Sequence, residues 1–503
     1  MKRIPLTIIF LTMCLPLRVQ AGNHIDGIYY TATLQGSIGA DDEKSPFWLT
    51  NNHYGLGRLE CNAALLRASI QRDAEADSLR KWRIGYGADI VGMVKYNGRA
   101  SSNIVLQQLY TDFQFKGIRL SIGQKERPSE LKNQHLSTGG MTSGINARPL
   151  PMIRLELPDF LAIPGTKNWL AIKAHIAYGI YTDNRWQKDF THKTSLYTAN
   201  SLYHSKAGLL RIGNPKKSHM TVTAGLEMSC QFGGEAWNLR DRADHTGDFD
   251  SHQKLPHGGK AFWHAFIPGG SDTNDGNYAN IEGNQLGSWH LRLDFYGKGW
   301  GMSLYAEHFF EDHSMLFLQY PWKDMLYGAE VNLPSNPVVS SMVYEYLRTA
   351  DQSGPIYHDA NAILPEQVSA VDNYYNHHIY GGWQHAGFSM GNPLILSPLY
   401  NTNKKIVFTD NRITAHHVGL EGHPCKEGYY RILFTHEKSL GTYSQPHNNP
   451  QRGKFLLVEG TYSPRRAKGL SLTFSYGQNS GSLLGNSKGG MLTISYQGQM
   501  KKK

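Results

Sequence analysis

The pentapeptide Gly387-Phe388-Ser389-Met390-Gly391 has the Gly-x-Ser-x-Gly spacing that presents a nucleophilic serine in α/β-hydrolases. Such a serine has to lie on a sharp turn from a strand into a helix. Here Asn392-Pro393 follows at once, and proline restricts the residue before it to extended conformations. The same loose pattern recurs from Gly485 to Gly489. We therefore interpret Ser389 as non-catalytic and expect a protein that is not an enzyme.

Histidines occur close together at three places, but their spacing does not suit a metal helix. The segment from His308 to His313 matches neither HExxH nor HxxEH. The pairs His377-His378 and His416-His417 are adjacent in sequence, and adjacent residues of a strand point to opposite faces. We interpret all three as structural.

A polar segment contains Asp272, Asn274 and Asp275, which resembles the start of a calcium loop. An EF-hand loop needs an oxygen ligand at its fifth position, where this segment has Gly276. We interpret it as a polar surface turn. No metal or other cofactor is expected.

Aromatic and amide side chains are concentrated between residues 372 and 385, inside a long segment without regular alternation. Sugar rings offer an apolar face to aromatic side chains and hydroxyl groups to amides, carboxylates and imidazoles. This mixture therefore suits a carbohydrate. The alternative is that the aromatics fold inward and plug a lumen, and a plug does not exclude binding.

Alternation of apolar and polar residues with period two is typical of strands, and it runs through the whole chain. Leu470, Leu472, Phe474 and Tyr476 alternate with hydroxyl residues. A transmembrane barrel has this pattern because its lipid side is apolar and its lumen is polar. We place about 18 strands near residues 27–38, 58–72, 81–93, 104–115, 117–124, 168–179, 190–204, 207–213, 219–230, 287–296, 301–309, 325–333, 338–348, 411–421, 428–437, 453–462, 469–476 and 489–498.

An even number of strands puts both termini on one side of a barrel. The connections then separate by side, with short ones at 116–117, 214–218, 297–299, 334–337 and 463–469. Long ones lie at 125–167, 231–286, 349–410, 438–452 and 477–488. Short turns on one side and long loops on the other are typical of outer-membrane proteins. The sequence predicts an all-β fold: a transmembrane antiparallel β-barrel whose long outer loops partly occlude the lumen.

The first 21 residues have the features of a cleaved export signal. Lys2 and Arg3 precede an apolar stretch, and Val19-Gln20-Ala21 forms a small-residue cleavage site before Gly22. We expect residues 22–503 to form a single barrel domain. After the signal no apolar run approaches the ~18 residues of a spanning helix. The three remaining cysteines allow at most one disulfide.

Composition and charge favour a folded protein with an anionic partner. Charged residues make up 18% of the 503 residues and aromatic residues 11%, which excludes a disordered chain. The formal charge of +10 attracts polyanions. For an exported protein the sensible partners are lipopolysaccharide or an acidic polysaccharide, and nucleic acid is not expected.

Several segments resemble the Wzi capsule-assembly family, in its Bacteroidetes-like version. They are Ser45 to Leu49, Leu136 to Gly140, Asn146 to Pro151, Glu282 to Trp289, His308 to Asp312, Tyr344 to Tyr346 and Asp372 to Asn392. The resemblance implies an outer-membrane barrel of about 18 strands. It also implies a lectin-like function, in which the barrel binds capsular or related surface polysaccharide and supports capsule assembly or attachment. We also expect the protein to be a monomer.

Candidate binding residues follow from the density of these motifs. Arg148 would pair with a uronic carboxylate, and Tyr374 and Trp383 would stack on sugar rings. The full set is Asn146, Arg148, Glu282, Asn284, Asp372, Tyr374, Tyr375, His378, Trp383 and Asn392. Two other functions stay open: an outer-membrane porin or solute channel, and a hydrolase that uses Ser389 or a carboxylate pair.

Overall fold

The computed structural model describes residues 27–39, 44–77, 81–94, 104–239, 252–268, 283–311, 323–334, 336–354, 362–365 and 372–500. Within them, eighteen strands form one closed antiparallel barrel. Each strand pairs with its neighbours in the chain, and the first pairs with the last, where Tyr29 lies opposite Gln499. The predicted transmembrane antiparallel β-barrel is confirmed.

The barrel strands are numbered here in chain order. Their bounds are β1 Ile28–Gly39, β2 Ala63–Arg72, β3 Trp82–Val94, β4 Ile104–Phe115, β5 Ile118–Gln124, β6 Pro151–Ala162, β7 Leu170–Ile180, β8 Leu202–Ile212, β9 Met220–Phe232, β10 Asn284–Tyr296, β11 Gly301–Glu311, β12 Met325–Asn332, β13 Ser341–Arg348, β14 Ile413–Cys425, β15 Gly428–Gly441, β16 Pro446–Tyr462, β17 Leu470–Gly481 and β18 Ser487–Gln499.

Short helices and strands lie in the connections. The helices are α1 Phe47–Thr50, α2 Asn184–Phe190 and α3 Gly259–Phe266. Tyr197–Ala199, Glu235–Trp237 and His252–Lys254 pair into a small separate sheet. Gln384–His385 and Phe388–Ser389 form a two-residue hairpin ladder. In the described part of the chain, no helix has the length and apolar character needed to cross a membrane.

One end of the barrel carries short connections and the other carries long ones. We call them the turn end and the loop end. The turn end includes the connections 116–117, 163–169, 213–219, 297–300, 426–427 and 463–469. The loop end includes 40–62, 125–150, 181–201, 233–283 and 349–412. The predicted long connections at 438–452 and 477–488 are wrong, because β15 to β18 extend into them and leave only 442–445 and 482–486.

Two strand predictions are also wrong. One strand was missed and another was predicted as two, so the total of eighteen is unchanged. The predicted loop 125–167 contains β6, whose alternation is interrupted by Pro158 and by a register shift between Leu157 and Leu161. The predicted strand at 190–204 is instead the end of α2, a short loop strand and the first residues of β8. The predicted strand 207–213 is the second half of β8.

The outer surface of the wall is apolar, as alternation predicts. On β18 the side chains of Leu492, Ile494 and Tyr496 are exposed on the outside. On the inside, Thr493 accepts a hydrogen bond from Gln35 of β1. Large aromatic side chains ring the turn end on the outside, as in the interfacial girdles of membrane barrels; they are Trp82, Trp169, Trp300 and Tyr462.

Candidate functional site

Three segments of the loop end fold into the lumen and fill it partly. We call residues 44–62, 125–150 and 372–412 together the plug. Aromatic and aliphatic plug side chains share one buried cluster with wall side chains such as Leu286, Phe309 and Val343. Phe47 of α1, for example, stacks on Phe455 of β16 with ring centroids 4.5 Å apart. The predicted occlusion of the lumen by long loops is confirmed.

Glutamates on the inner face of the wall hold the plug. Glu345 of β13 accepts hydrogen bonds from Ser137 Oγ at 2.6 Å and from Thr138 N and Oγ1, both at 2.7 Å. A wall hydroxyl, Tyr305 Oη, donates to the same carboxylate at 2.7 Å. Buried polar groups have to be hydrogen-bonded. Glu345 therefore fixes the position of plug residues 137–138 against the wall.

Two more wall glutamates act on the same plug segment. Glu307 of β11 accepts from Met141 N at 2.7 Å and forms an ion pair with Lys132 Nζ at 2.8 Å. Both side chains of that pair are almost completely buried. Glu227 of β9 accepts from Ser143 Oγ at 2.6 Å. Residues 132–143 are thus attached to three strands of the wall.

The predicted site residues Asn146, Tyr375, Trp383 and Asn392 come together inside the plug. Asn146 Nδ2 donates to Ser389 Oγ at 3.0 Å, and Trp383 Nε1 donates to Thr142 O at 2.8 Å. Asn392 Nδ2 donates to Thr138 Oγ1 at 2.9 Å. Tyr375 Oη donates to Met141 O and accepts from Asn392 N.

These four side chains are fully buried. They join residues 138–146 to residues 375–392, so they hold the two halves of the plug together. Tyr375 also donates its backbone N–H to Glu311 Oε1 on the wall at 2.5 Å. Burial raises the pKa of Tyr375 well above its ordinary value, so its hydroxyl keeps the proton that it donates.

The other predicted site residues lie apart. Tyr374 is buried, with its ring edge-on to Phe309 at 4.8 Å. Asn284, at the loop end of β10, donates to Gln231 Oε1 at 3.0 Å. Glu282 lies outside the described residues. Asp372 and His378 are half-buried.

Arg148 is half-buried and keeps unused hydrogen-bonding capacity. Its Nη2 is 3.5 Å from Thr182 Oγ1, a long contact, and its buried Nε has no hydrogen-bond partner. The backbone of Arg148 is well fixed, because its carbonyl accepts from His385 Nδ1 at 2.9 Å. A guanidinium in this state is available to a carboxylate or phosphate ligand.

Ser389 lies in the plug rather than on a strand-to-helix turn. Its side chain is fully buried and donates to Asn392 O at 3.3 Å. Gly391, the last glycine of the motif, allows close packing, because a Cβ there would lie 2.0 Å from Met141 O. In this chain, therefore, the Gly-x-Ser-x-Gly spacing serves the packing of the plug.

The two histidine pairs differ in geometry. His377 and His378 lie in the plug outside any strand, and their rings stack with centroids 4.6 Å apart, so the expectation that they point to opposite faces is wrong for this pair. His416 and His417 lie on β14 and alternate as strand residues do. His416 faces outward and lies 2.9 Å from Tyr344 Oη, whereas His417 faces inward and donates to Leu136 O at 2.7 Å. Within the described ranges no group of three or more His, Cys, Asp or Glu side chains could hold a metal ion. His313 and the segment from Asp272 to Asp275 lie outside those ranges. Cys61 and Cys230 are buried, and Cys425 is exposed.

The sequence reasoning did not identify the wall glutamates and Lys132 as functional groups. The available signal was a single acidic residue at an inward position of an otherwise apolar or aromatic strand, as in Tyr344-Glu345-Tyr346. Such a residue predicts a buried partner. The identity of the partner, some 200 residues away, requires the structure.

Among the described residues, two of the cavities lie beside the plug inside the lumen. One, of about 410 Å³, lies against β1 and β2 and is lined by Gln35, Arg58 and Arg67 among others. The second, of about 310 Å³, lies against β5 to β8. Its lining contains Arg127 and Arg148 of the plug and Arg154 of the wall.

Comparison with known proteins identifies the fold. No protein-family model matches the chain, and no curated protein matches it either. Among solved structures it is similar to Wzi of Escherichia coli, an outer-membrane protein involved in group 1 capsule assembly and a carbohydrate-binding β-barrel. The two chains are 12% identical with a TM-score of 0.56, over 95% of this chain and 85% of Wzi.

More distant similarity connects the chain to outer-membrane proteins of Pseudomonas aeruginosa. OpdK is 10% identical with a TM-score of 0.46, over 93% of this chain and 98% of that one. OccK9 is 11% identical with a TM-score of 0.46, over 94% and 98% of the two chains. At these identities the similarity to Wzi establishes a shared barrel fold.

Proposed function

We propose that this protein is an outer-membrane barrel that binds capsular or related surface polysaccharide and supports its assembly or attachment at the cell surface. Export would use the N-terminal signal, residues 1–21. We propose a non-enzymatic, lectin-like role in which the chain acts as a monomer. The carbohydrate binding of the similarly folded Wzi barrel supports this proposal.

The observation that carries the proposal is the plug. Wall carboxylates and a shared apolar cluster fix it in place, so it presents a shaped and rigid surface instead of mobile loops. Rigid positioning reduces the entropy lost on binding a flexible ligand such as a polysaccharide. A porin requires an open lumen, which the plug narrows.

The outer-membrane location is supported by the wall. Its exterior is apolar, and aromatic side chains such as Trp82 and Trp300 are exposed near the turn end. An apolar exterior of this kind is stable only in a lipid layer. The turn end would face the periplasm and the loop end the outside, as in other barrels with short turns and long loops.

We propose that the predicted site residues divide into two groups. Arg148, Asp372 and His378 have partly exposed side chains and would contact the polymer. The buried residues would hold the plug in its binding shape; they are Asn146, Tyr374, Tyr375, Trp383 and Asn392, with Asn284 in the wall. Glu282 belongs to the proposed set through its sequence motif.

The test compares surface-attached with released polysaccharide in the source cell at constant total synthesis. Deletion of the gene is expected to shift polymer from the attached to the released fraction. Arg148→Gln is expected to give part of that shift while barrel abundance stays normal. The matched control is Arg185→Gln, which changes an exposed loop arginine outside the predicted site.

Two results would contradict the proposal. The first is normal attachment in the deletion strain together with loss of uptake of a solute, which would indicate a channel. The second is single-channel conductance of porin size from the purified wild-type barrel in a planar bilayer.

A further inference from the structure

The cavity against β5 to β8 has a pronounced excess of basic side chains. We call it the basic chamber. Its lining includes six basic and four acidic residues, an excess of two positive charges. They are Arg119, Lys125, Arg127, Arg148, Arg154 and Lys173 against Glu126, Glu130, Glu156 and Glu227.

Most of these charges are already paired. Arg154 Nε lies 2.6 Å from Glu156 Oε2, and Lys173 Nζ lies 2.7 Å from Glu130 Oε2. Two of the four acidic groups are bound by residues outside the chamber or by the plug. Glu126 pairs with Arg67 at 2.9 Å, and Glu227 accepts from Ser143.

Two arginines of the chamber are the exceptions: Arg148, whose weak contacts are given above, and Arg127. Arg127 Nη2 donates to Ser121 Oγ at 2.9 Å and its Nη1 to Lys125 O at 3.2 Å. Among the described residues no carboxylate forms an ion pair with it. Burial and the nearby Arg154 lower the pKa of Arg127 to about 10, so the guanidinium remains charged at neutral pH. Glu156 and Asp112 act on Arg127 in the opposite direction without contacting it. A half-buried cation with no carboxylate in direct contact favours an anionic ligand.

The rest of the lining suits a sugar. Tyr203 and Ser205 supply hydroxyl groups, and Pro128, Pro149 and Met152 supply apolar surface for a ring face. Its volume of about 310 Å³ is at the lower end of the ~300–1,000 Å³ typical of small-molecule pockets. The chamber therefore has room for a short segment of a glycan.

The chamber extends toward the turn end. Arg119, one of its lining residues, lies near the start of β5 and pairs with Glu75 in the turn between β2 and β3 at 2.7 Å. The carboxylate of Glu75 is 54% exposed. The chamber lining is thus connected through Arg119 to an exposed carboxylate at the turn end.

We propose that the basic chamber binds a short, carboxylate-bearing oligosaccharide segment, with Arg127 as its carboxylate-binding residue. This site deepens the proposed function, on which it rests, by specifying an anionic glycan. It is separate from the loop-end residues Asp372 and His378.

Calorimetric titration of the purified full-length barrel in detergent tests the chamber. A uronic acid tetramer is expected to bind, with affinity falling as salt rises, and a neutral glucose tetramer is not. Arg127→Gln is expected to weaken uronate binding at least about 10-fold, the effect of losing a charge-assisted pair. The matched control is Arg211→Gln, which changes a lumenal arginine outside the chamber lining and should bind as the wild type does.

The outcomes separate the chamber from the general function. The proposed binding site would be refuted if Arg127→Gln binds the uronic acid tetramer as tightly as the wild type does. It would also be refuted if the wild type binds both tetramers equally well. If inorganic phosphate alone binds as tightly as the tetramer, the chamber is a simple anion site, and the proposal of a glycan site is refuted. If the chamber proposal fails in these titrations but polysaccharide attachment still depends on the gene, the proposed function remains valid without the chamber. If the tetramer binds but attachment is independent of the gene, the chamber stands without that function.

A second inference concerns helix α3, which lies outside the barrel. Cys230 and Phe232 alternate along β9 with the lumenal residue Ser229, so they face outward, and they pack with Ala261 and Ala265 of α3. Tyr178 Oη, also on the outer face, donates to Phe262 O at 3.0 Å.

The wall beneath α3 carries polar side chains where other strands carry aliphatic ones. Lys206 of β8 points outward and donates to Phe266 O at the C-terminus of α3. A lysine that faces lipid is destabilising, whereas the C-terminus of a helix stabilises a cation. The outward-facing lysine of β8 is therefore stabilised by α3, which covers this part of the wall.

The other face of α3 is apolar and exposed. Trp263 is 57% exposed, Ile267 47% and Phe262 38%. This surface continues the apolar exterior of the wall, and Lys260 and Lys254 beside it are exposed. Tryptophan, aliphatic side chains and nearby lysines together are typical of interfacial helices on anionic membranes.

We propose that the exposed face of α3 inserts into the outer leaflet at the level of its headgroups. In vesicles containing anionic lipid, the emission of Trp263 is obtained as the difference between wild type and Trp263→Phe. It is expected to be quenched by lipids brominated near the headgroup end of the chain. Trp300→Phe, which removes a turn-end girdle residue, is the control. A difference spectrum quenched by aqueous iodide and unaffected by brominated lipid would overturn the proposal.

Discussion

Glu345 Oε1 on the barrel wall accepts a hydrogen bond from Ser137 Oγ of the plug at 2.6 Å, across 208 residues of sequence. Together with the two bonds from Thr138, this contact ties a connection of the loop end to the inside of the wall. The plug is thereby an integral part of the folded barrel. Its contacts can be removed one at a time.

Glu345→Gln replaces an acceptor of four hydrogen bonds by an amide that can accept at only one atom. Hydrogen bonds to charged groups contribute about 1.5–3 kcal/mol each, so we expect a loss of about 2–3 kcal/mol in the free energy of unfolding. Urea titration in lipid vesicles measures it. Glu75→Gln, at a half-exposed turn-end carboxylate, should change the midpoint little. Equal midpoints for both variants would show that Glu345 does not hold the plug.

Lys132→Met leaves Glu307 as a buried charge without its counter-ion. Breaking a buried pair from one side costs about 3–5 kcal/mol. The double variant with Glu307→Gln should recover part of this loss, because no uncompensated charge remains. The exposed pair of Arg185 and Asp189 is the comparison, and Arg185→Gln should change stability by less than about 1 kcal/mol. A double variant no more stable than Lys132→Met would contradict the ion-pair explanation.

Gly391→Ala tests the packing of the plug's two halves. The added Cβ would lie 2.0 Å from Met141 O and 2.1 Å from Tyr375 Oη. Because both are fixed by hydrogen bonds, we expect a destabilisation of about 1–3 kcal/mol and faster proteolysis of the segment 372–412. Gly36→Ala, at a strand position where a Cβ meets nothing within 4 Å, serves as the control. Identical proteolysis patterns for the two variants would refute the packing role.

The buried imidazole of His385 is expected to make the stability of the plug depend on pH. Burial lowers the pKa of His385 from 6.5 to about 4, and its Nδ1 donates to Arg148 O while its Nε2 lies 3.1 Å from Thr182 Oγ1. The folded protein therefore binds a proton less readily than the unfolded chain. The stabilisation is complete above pH 6.5 and is lost as the pH falls toward about 4, by at most about 3 kcal/mol.

Unfolding free energies measured between neutral and acidic pH test this slope. His385→Gln should flatten the dependence, whereas the exposed His192→Gln should leave it as in the wild type. A wild-type slope in His385→Gln would assign the effect to other groups.

The barrel was predictable because its wall separates lipid from lumen, and that separation imposes a period of two on residues such as Leu492, Thr493 and Ile494. Prediction was wrong where proline interrupts the period, as at Pro158 in β6, and where a loop helix precedes β8. These errors are local, and the predicted number of strands was still correct.

The site was less predictable than the wall. The motif residues Asn146, Trp383 and Asn392 were identified by their types, and the structure brings them together. Their partners are backbone and hydroxyl groups far away in sequence, and such pairings leave no periodic pattern. An amide that bonds a sugar hydroxyl and an amide that bonds a buried serine look the same in sequence.

The plug draws on three stretches separated by most of the chain, and it is attached to glutamates on β9, β11 and β13. Those glutamates share one lumen only after β1 has paired with β18. The filled interior therefore belongs to the closed cylinder, because its attachment points all lie on the inner side of the wall. Without its own loops the wall would enclose a hollow bore, and the docked loops make most of that bore a filled column.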